Sequence, residues 1–125
     1  MIQLDDKSKT MDELFELGYA AEDAGDFVKA IEFYRQAANT GEADCEHALW
    51  RIGSVYERQG DCQTAFKFYL EAAEKGSDDG MFFVGSCYEN GTGVEKNFDE
   101  ALKWYNKAAA AGNEIAEEYL EYLGY

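Results

Sequence analysis

The chain has 125 residues, of which 46% are hydrophobic, enough for one folded domain with a modest core. Its net charge of −15 argues against a nucleic-acid backbone, which requires basic surface, and disfavours an anionic membrane. No apolar run approaches the ~20 residues of a membrane-spanning helix.

The opening MIQLDDKSKT has no basic end followed by an apolar stretch. It reads as a flexible N-terminus over residues 1–10, not a secretory signal, so a cytoplasmic protein is expected. Residues 11–41 then predict a helix hairpin. Thr10 and Glu13 form a capping box in front of LFELGYAAEDAG. Asp26 stands where an N-cap belongs before FVKAIEFYRQAANTG. Ala30, Tyr34 and Ala37 fall at i, i+4, i+7, one face of a helix.

Residues 44–76 repeat the pattern with ALWRIGSVYERQG and GDCQTAFKFYLEAAEKG, and residues 78–112 with MFFVGSCYENG and KNFDEALKWYNKAAAAG. Three glycines, Gly18, Gly53 and Gly85, recur inside the first helix of each hairpin. An interior glycine costs ~1 kcal/mol of helix stability, so its recurrence predicts a tight helix crossing. Ala30, Ala65 and Ala101 are in register, as are Tyr34, Tyr69 and Tyr105, and as are the closing Gly41, Gly76 and Gly112. Those closing glycines fit left-handed helix ends. Asn97 with Glu100 suggests a second capping box. The tail, 113–123, predicts one more helix with Glu114, Glu117, Glu118 and Glu121 on its outer face, a polar cap for the open end. A period in this range marks a helical solenoid. The expected fold is therefore all-α: a right-handed α-α superhelix of three helix hairpins plus a C-terminal capping helix.

These residues resemble tetratricopeptide repeats and, more closely, their Sel-one-like relatives. The strongest resemblance lies in GSCYENGTGVEKNFDEALKWYNKAAAAGN, through Tyr88, Gly91, Gly93, Val94, Ala101, Trp104, Tyr105, Ala108, Ala109 and Gly112. The resemblance covers residues 11–123. It implies a non-catalytic scaffold that holds other proteins or peptides. Some secreted members of that family carry regular cysteine pairs and are associated with β-lactams. Cys45, Cys62 and Cys87 lack that pairing, so a secreted β-lactam-binding relative is the less favoured reading.

Chemical motifs are sparse. The three cysteines are odd in number and unevenly spaced, with a single histidine, which speaks against zinc and for reduced, buried thiols. Gly91-Thr92-Gly93 lacks the Lys-Ser/Thr of a phosphate loop. His47 has no nucleophile at a recognisable spacing and reads as a surface or interface residue. Asn90-Gly91-Thr92 is a glycosylation sequon that matters only on export. No enzyme, cofactor or metal site is expected.

The resemblance also implies where a partner docks. The first helix of each hairpin turns one face to the inside of the superhelix. Carried onto this chain, that face holds Phe15, Tyr19, Glu22 and Asp23, then Trp50, Ser54, Glu57 and Arg58, then Phe82, Ser86, Glu89 and Asn90. Phe15, Trp50 and Phe82 would form an aromatic stripe flanked by carboxylates, fit for a basic protein or peptide. The competing reading buries the stripe in the core. An acidic solenoid of this size also permits an immunity or antitoxin protein covering a basic toxin, and an unprotected apolar end permits a homodimer.

Overall fold

The computed structural model describes residues 9–125; residues 1–8, most of the segment expected to be a flexible N-terminus, lie outside the described residues. Seven helices follow in order: α1 (Met11–Asp23), α2 (Phe27–Ala38), α3 (His47–Arg58), α4 (Cys62–Glu74), α5 (Asp78–Asn90), α6 (Phe98–Ala110) and α7 (Glu114–Leu123), with no strand among the described residues. Sequential helices pack pairwise as hairpins α1–α2, α3–α4 and α5–α6, each hairpin leans on the next, and α7 packs on α6. This is the all-α solenoid of three hairpins and a closing helix that the repeat predicts.

Local signals set the helix ends. The Thr10–Glu13 capping box is complete, with both reciprocal bonds present. Asp26, Asp61 and Asn97 accept the amides of Lys29, Thr64 and Glu100, opening α2, α4 and α6. At α6 only that half of the expected box forms, and the Glu100 carboxylate lies 3.6 Å from Lys103 Nζ. The closing glycines Gly41, Gly76 and Gly112 have φ of +77°, +103° and +97°, a conformation that side chains disfavour.

The recurring interior glycine has a definite job. A Cβ at Gly18 would lie 2.3 Å from Cε1 of Tyr34; at Gly53, 2.8 Å from Cε1 of Tyr69; at Gly85, 2.7 Å from both Cδ1 and Cε1 of Tyr105. Each glycine is the seat of the partner helix's tyrosine ring. The three rings and the three alanines before them, Ala30, Ala65 and Ala101, are all buried. Burying each ring contributes about 2 kcal/mol, more than the ~1 kcal/mol the glycine costs its helix. That balance explains why the expensive residue recurs.

The glycines of the α5–α6 connection are explained the same way. Gly91 and Gly93 both have φ of +73°. A Cβ at Gly93 would fall 2.1 Å from the carbonyl oxygen of Cys62, so this loop lies directly on the start of α4. On α7, Ala116 and Leu120 turn inward while Glu114, Glu117, Glu118 and Glu121 are exposed.

Candidate functional site: the inner helix face

The first helices of the hairpins, α1, α3 and α5, present the positions at which a partner is expected. Phe15, Trp50 and Phe82 are each half-buried. Phe15 lies 6.2 Å from the Tyr34 ring, and Phe82 lies 5.4 Å from that of Tyr105. Trp50 stacks on Phe83 at 4.9 Å, with the Arg51 guanidinium 4.4 Å from its own ring centre. Its Nε1 is buried with no hydrogen-bond partner among the described residues. The stripe is thus partly roofed.

The roof comes from one register position in each following unit. Arg51 sits over Tyr19 at 4.6 Å. Phe83 sits against Trp50 and Tyr69 at 4.9 and 5.0 Å. Tyr119 sits against Tyr105 and Phe82 at 5.2 and 6.5 Å. A guanidinium, a phenyl and a phenol do the same work, so residue identity does not repeat and sequence reading passes over it. Asn113 caps α7 as Ser77 caps α5. Counting from those caps aligns Tyr119 with Phe83 and offered the one available signal.

The carboxylates have specific partners. Tyr34 donates its hydroxyl to Glu22 Oε1 at 2.5 Å, Tyr69 to Glu57 Oε1 at 2.7 Å, and Tyr105 to Glu89 Oε1 at 2.6 Å. The glycine, the tyrosine seated on it and the glutamate one turn further along form a three-part device repeated in every unit. Burial first, then the bond to the glutamate and its charge, holds all three phenols far above their ordinary range. Tyr119 donates to Glu89 Oε2 at 2.7 Å, and that bond raises its pKa too. Arg58 donates to Glu22 Oε2 at 2.7 Å and joins α3 to α1.

The remaining expected positions are more open. Tyr19 is 38% exposed; Asp23, Glu57, Arg58 and Asn90 are exposed, and Ser54 and Ser86 are intermediate. The tail extends the same columns. Tyr122 aligns with Ser86 and is 82% exposed; Tyr125, beyond the end of α7, is 68% exposed.

A second cluster joins the starts of α3, α5 and α7. Ser77 Oγ lies 3.0 Å from His47 Nδ1, and Asp79 and Asp78 stand 3.8 and 4.0 Å from the imidazole nitrogens. Buried Asn113 donates to both aspartates at 2.9 Å. His47, Asp78 and Asp79 bring potential ligand atoms within 4.8 Å of one another. Ser77 engages Nδ1 of His47, Asn113 holds the aspartate oxygens on the far side from the imidazole, and the group staples neighbouring units together. Of the thiols, Cys87 is buried and its pKa is pushed up to about 12 by that burial.

The architecture and this repeated device define a helix-hairpin repeat protein. Residues 78–113 match the Sel1 repeat family, and residues 12–44 and 47–75 match two tetratricopeptide repeat families. The chain is a Sel1-like, tetratricopeptide-like helical repeat protein. Among solved structures it is similar to a Sel1 repeat protein from Oxalobacter formigenes, with TM-score 0.74 and 29% identity over 85% of this chain and 44% of that one. It is also similar to c5321, a protective antigen of uropathogenic Escherichia coli with an SLR fold, with TM-score 0.73 and 27% identity over 90% of this chain and 25% of that one. Among curated proteins, 42 residues are 55% identical to DAP3-binding cell death enhancer 1 of Rattus norvegicus and 52% identical to that of Mus musculus. That match takes in 34% of this chain and 8% of those proteins. The chain therefore spans under half of each solved relative and a small part of the curated ones. Repeats of this kind serve as protein-interaction modules. No helix among the described residues is long and apolar enough to cross a membrane.

Proposed function

We propose that the protein is a non-catalytic interaction scaffold that receives a basic protein segment on the inner face of α1, α3, α5 and α7. The observation that carries this reading is the row Glu22, Glu57 and Glu89, one carboxylate per unit, held in place by Tyr34, Tyr69 and Tyr105. Acids fixed in this way lose little side-chain entropy when a cation arrives. Exposed Tyr19, Tyr122 and Tyr125 add rigid amphipathic contact area at the two ends of the row. The net charge of −15 favours fast, salt-sensitive capture of a cationic partner. The curated relatives are named for binding another protein, in keeping with this class of role.

The test is selection of peptides from a random display library on the purified protein. The reading expects enrichment of arginine or lysine spaced between apolar residues. It also expects that enrichment to vanish for Glu22→Gln/Glu57→Gln/Glu89→Gln, which keeps an acceptor for each tyrosine. Enrichment of acidic or neutral peptides would overturn it.

A further inference from the structure

The three glutamates of the row are not equivalent, and the difference lies in the second oxygen. Glu22 Oε2 accepts from Arg58 of the next unit, and Glu89 Oε2 accepts from Tyr119 of the tail. For the Glu57 carboxylate, Tyr69 is the single hydrogen-bond partner among the described residues, and it uses Oε1. The cause is a change of residue. Asn90 holds in unit three the position that Arg58 holds in unit two, and its short amide turns back to Ser86 Oγ at 3.3 Å.

A second change coincides with the first. Where Arg58 reaches Glu22, its guanidinium also lies 5.1 Å from the ring centre of Phe27, the first residue of α2. The corresponding first residue of α4 is Cys62, half-buried and much smaller. An open cavity of about 590 Å³ occurs here, lined by Gly60, Asp61, Cys62, Gly93 and Glu95. It begins one turn from Glu57, whose carbonyl accepts the Gly60 amide at 2.9 Å. The first junction is filled by an arginine on a phenyl ring; the second lacks both, and the α5–α6 loop lying on Cys62 leaves an open cavity beside it.

We propose that the junction between units two and three is an arginine socket, in which Glu57 Oε2 and the adjoining cavity take a guanidinium side chain from a protein partner. The occupant is committed by the chain's own precedent: Arg58 on Glu22 shows which group this geometry accepts. Asp61 and Glu95 add charge of the right sign, and a planar guanidinium suits a carboxylate with one oxygen already engaged. This rests on the reading that the partner is basic and docks on the inner face, and it names the residue that anchors it.

The test uses N-acetyl-arginine amide titrated into the ¹⁵N-labelled full chain, with N-acetyl-citrulline amide as the neutral isostere. The expected result is a set of amide shifts confined to residues 57–63 and 91–95, absent with citrulline. Glu57→Gln, which keeps the acceptor for Tyr69, should weaken the probe about tenfold. Asn90→Arg should abolish binding by supplying the missing guanidinium from within. Circular dichroism melts establish that both variants fold. Inner-face shifts that persist unchanged in both variants overturn the socket and leave the basic-partner reading standing. Shifts spread evenly over carboxylates of the second helices, such as Glu71 and Glu74, or no shifts at all, overturn both.

Discussion

Replacing Gly18 by alanine sets two opposed effects against each other, and the structure decides the winner. Alanine favours the helix by ~1 kcal/mol over glycine. Against that, the new methyl would stand 2.3, 2.7 and 2.8 Å from Cε1, Cδ1 and Cζ of Tyr34. The ring must retreat by about 1 Å to reach ordinary carbon–carbon contact. It has nowhere to go, being buried in a cluster with Ala30, Leu49 and Ile52, and its hydroxyl is held by Glu22. Overpacking costs about 1–3 kcal/mol, and straining the hydroxyl bond adds roughly 1 kcal/mol. The expected net loss is about 1–3 kcal/mol, a fall in Tm of roughly 4–12 °C for a chain of this size. Urea titration followed by far-ultraviolet circular dichroism measures it. Gly85→Ala and Gly53→Ala should destabilise less, in line with their longer 2.7 and 2.8 Å contacts. Stabilisation by all three would show that helix propensity dominates and that the glycines are not ring seats.

Other consequences follow from the same contacts. Tyr69→Phe should cost about 1 kcal/mol, because the lost hydroxyl bond is to an exposed carboxylate that water can reach; chemical denaturation reads it, and an unchanged midpoint would demote the bond. The seated tyrosines have folded pKa values raised above the unfolded one, so their contribution is complete below about pH 10 and is lost as pH rises beyond it. Alkaline titration should show stability falling above that point, with a shallower slope in Tyr69→Phe; a slope indifferent to that substitution would contradict the assignment. Trp50→Ala should cost about 3 kcal/mol through its stacking on Phe83, whereas Trp50→Phe should lie within about 1 kcal/mol of wild type because it also removes a buried, unpaired N–H. Thermal melts of the two variants distinguish this from an exposed anchor, for which both would be silent.

The repeat was legible because its most constrained parts keep their residue types. A buried ring needs a glycine beneath it and small alanines around it, so Gly18, Tyr34 and Ala30 recur by identity in each unit. Caps were legible for the same reason: only a few side chains can accept a helix's first amides, and Asp26, Asp61 and Asn97 are among them. The inner face was harder to read. Glu22, Glu57 and Glu89 stood in register, but their role as tyrosine acceptors depends on distance between helices, which periodicity does not carry. Arg51, Phe83 and Tyr119 share a place without sharing a chemistry. His47 was read as a surface or interface residue; its company of Ser77, Asp78, Asp79 and Asn113 arises where three helix starts converge. The hollow second junction is a difference between copies, visible only once the filled first junction gives its measure.

The claim that the inner face receives a basic partner is tested most directly by photo-crosslinking in the native cell. A photoreactive phenylalanine at Ser54 probes the inner face, and the same residue at Lys67 or Glu71 probes the exposed side of α4. Adducts at Ser54 with a protein of basic sequence, sparse at the α4 positions and lost at high salt, are the predicted result. Adducts confined to Lys67 and Glu71, or an acidic partner at Ser54, would contradict it.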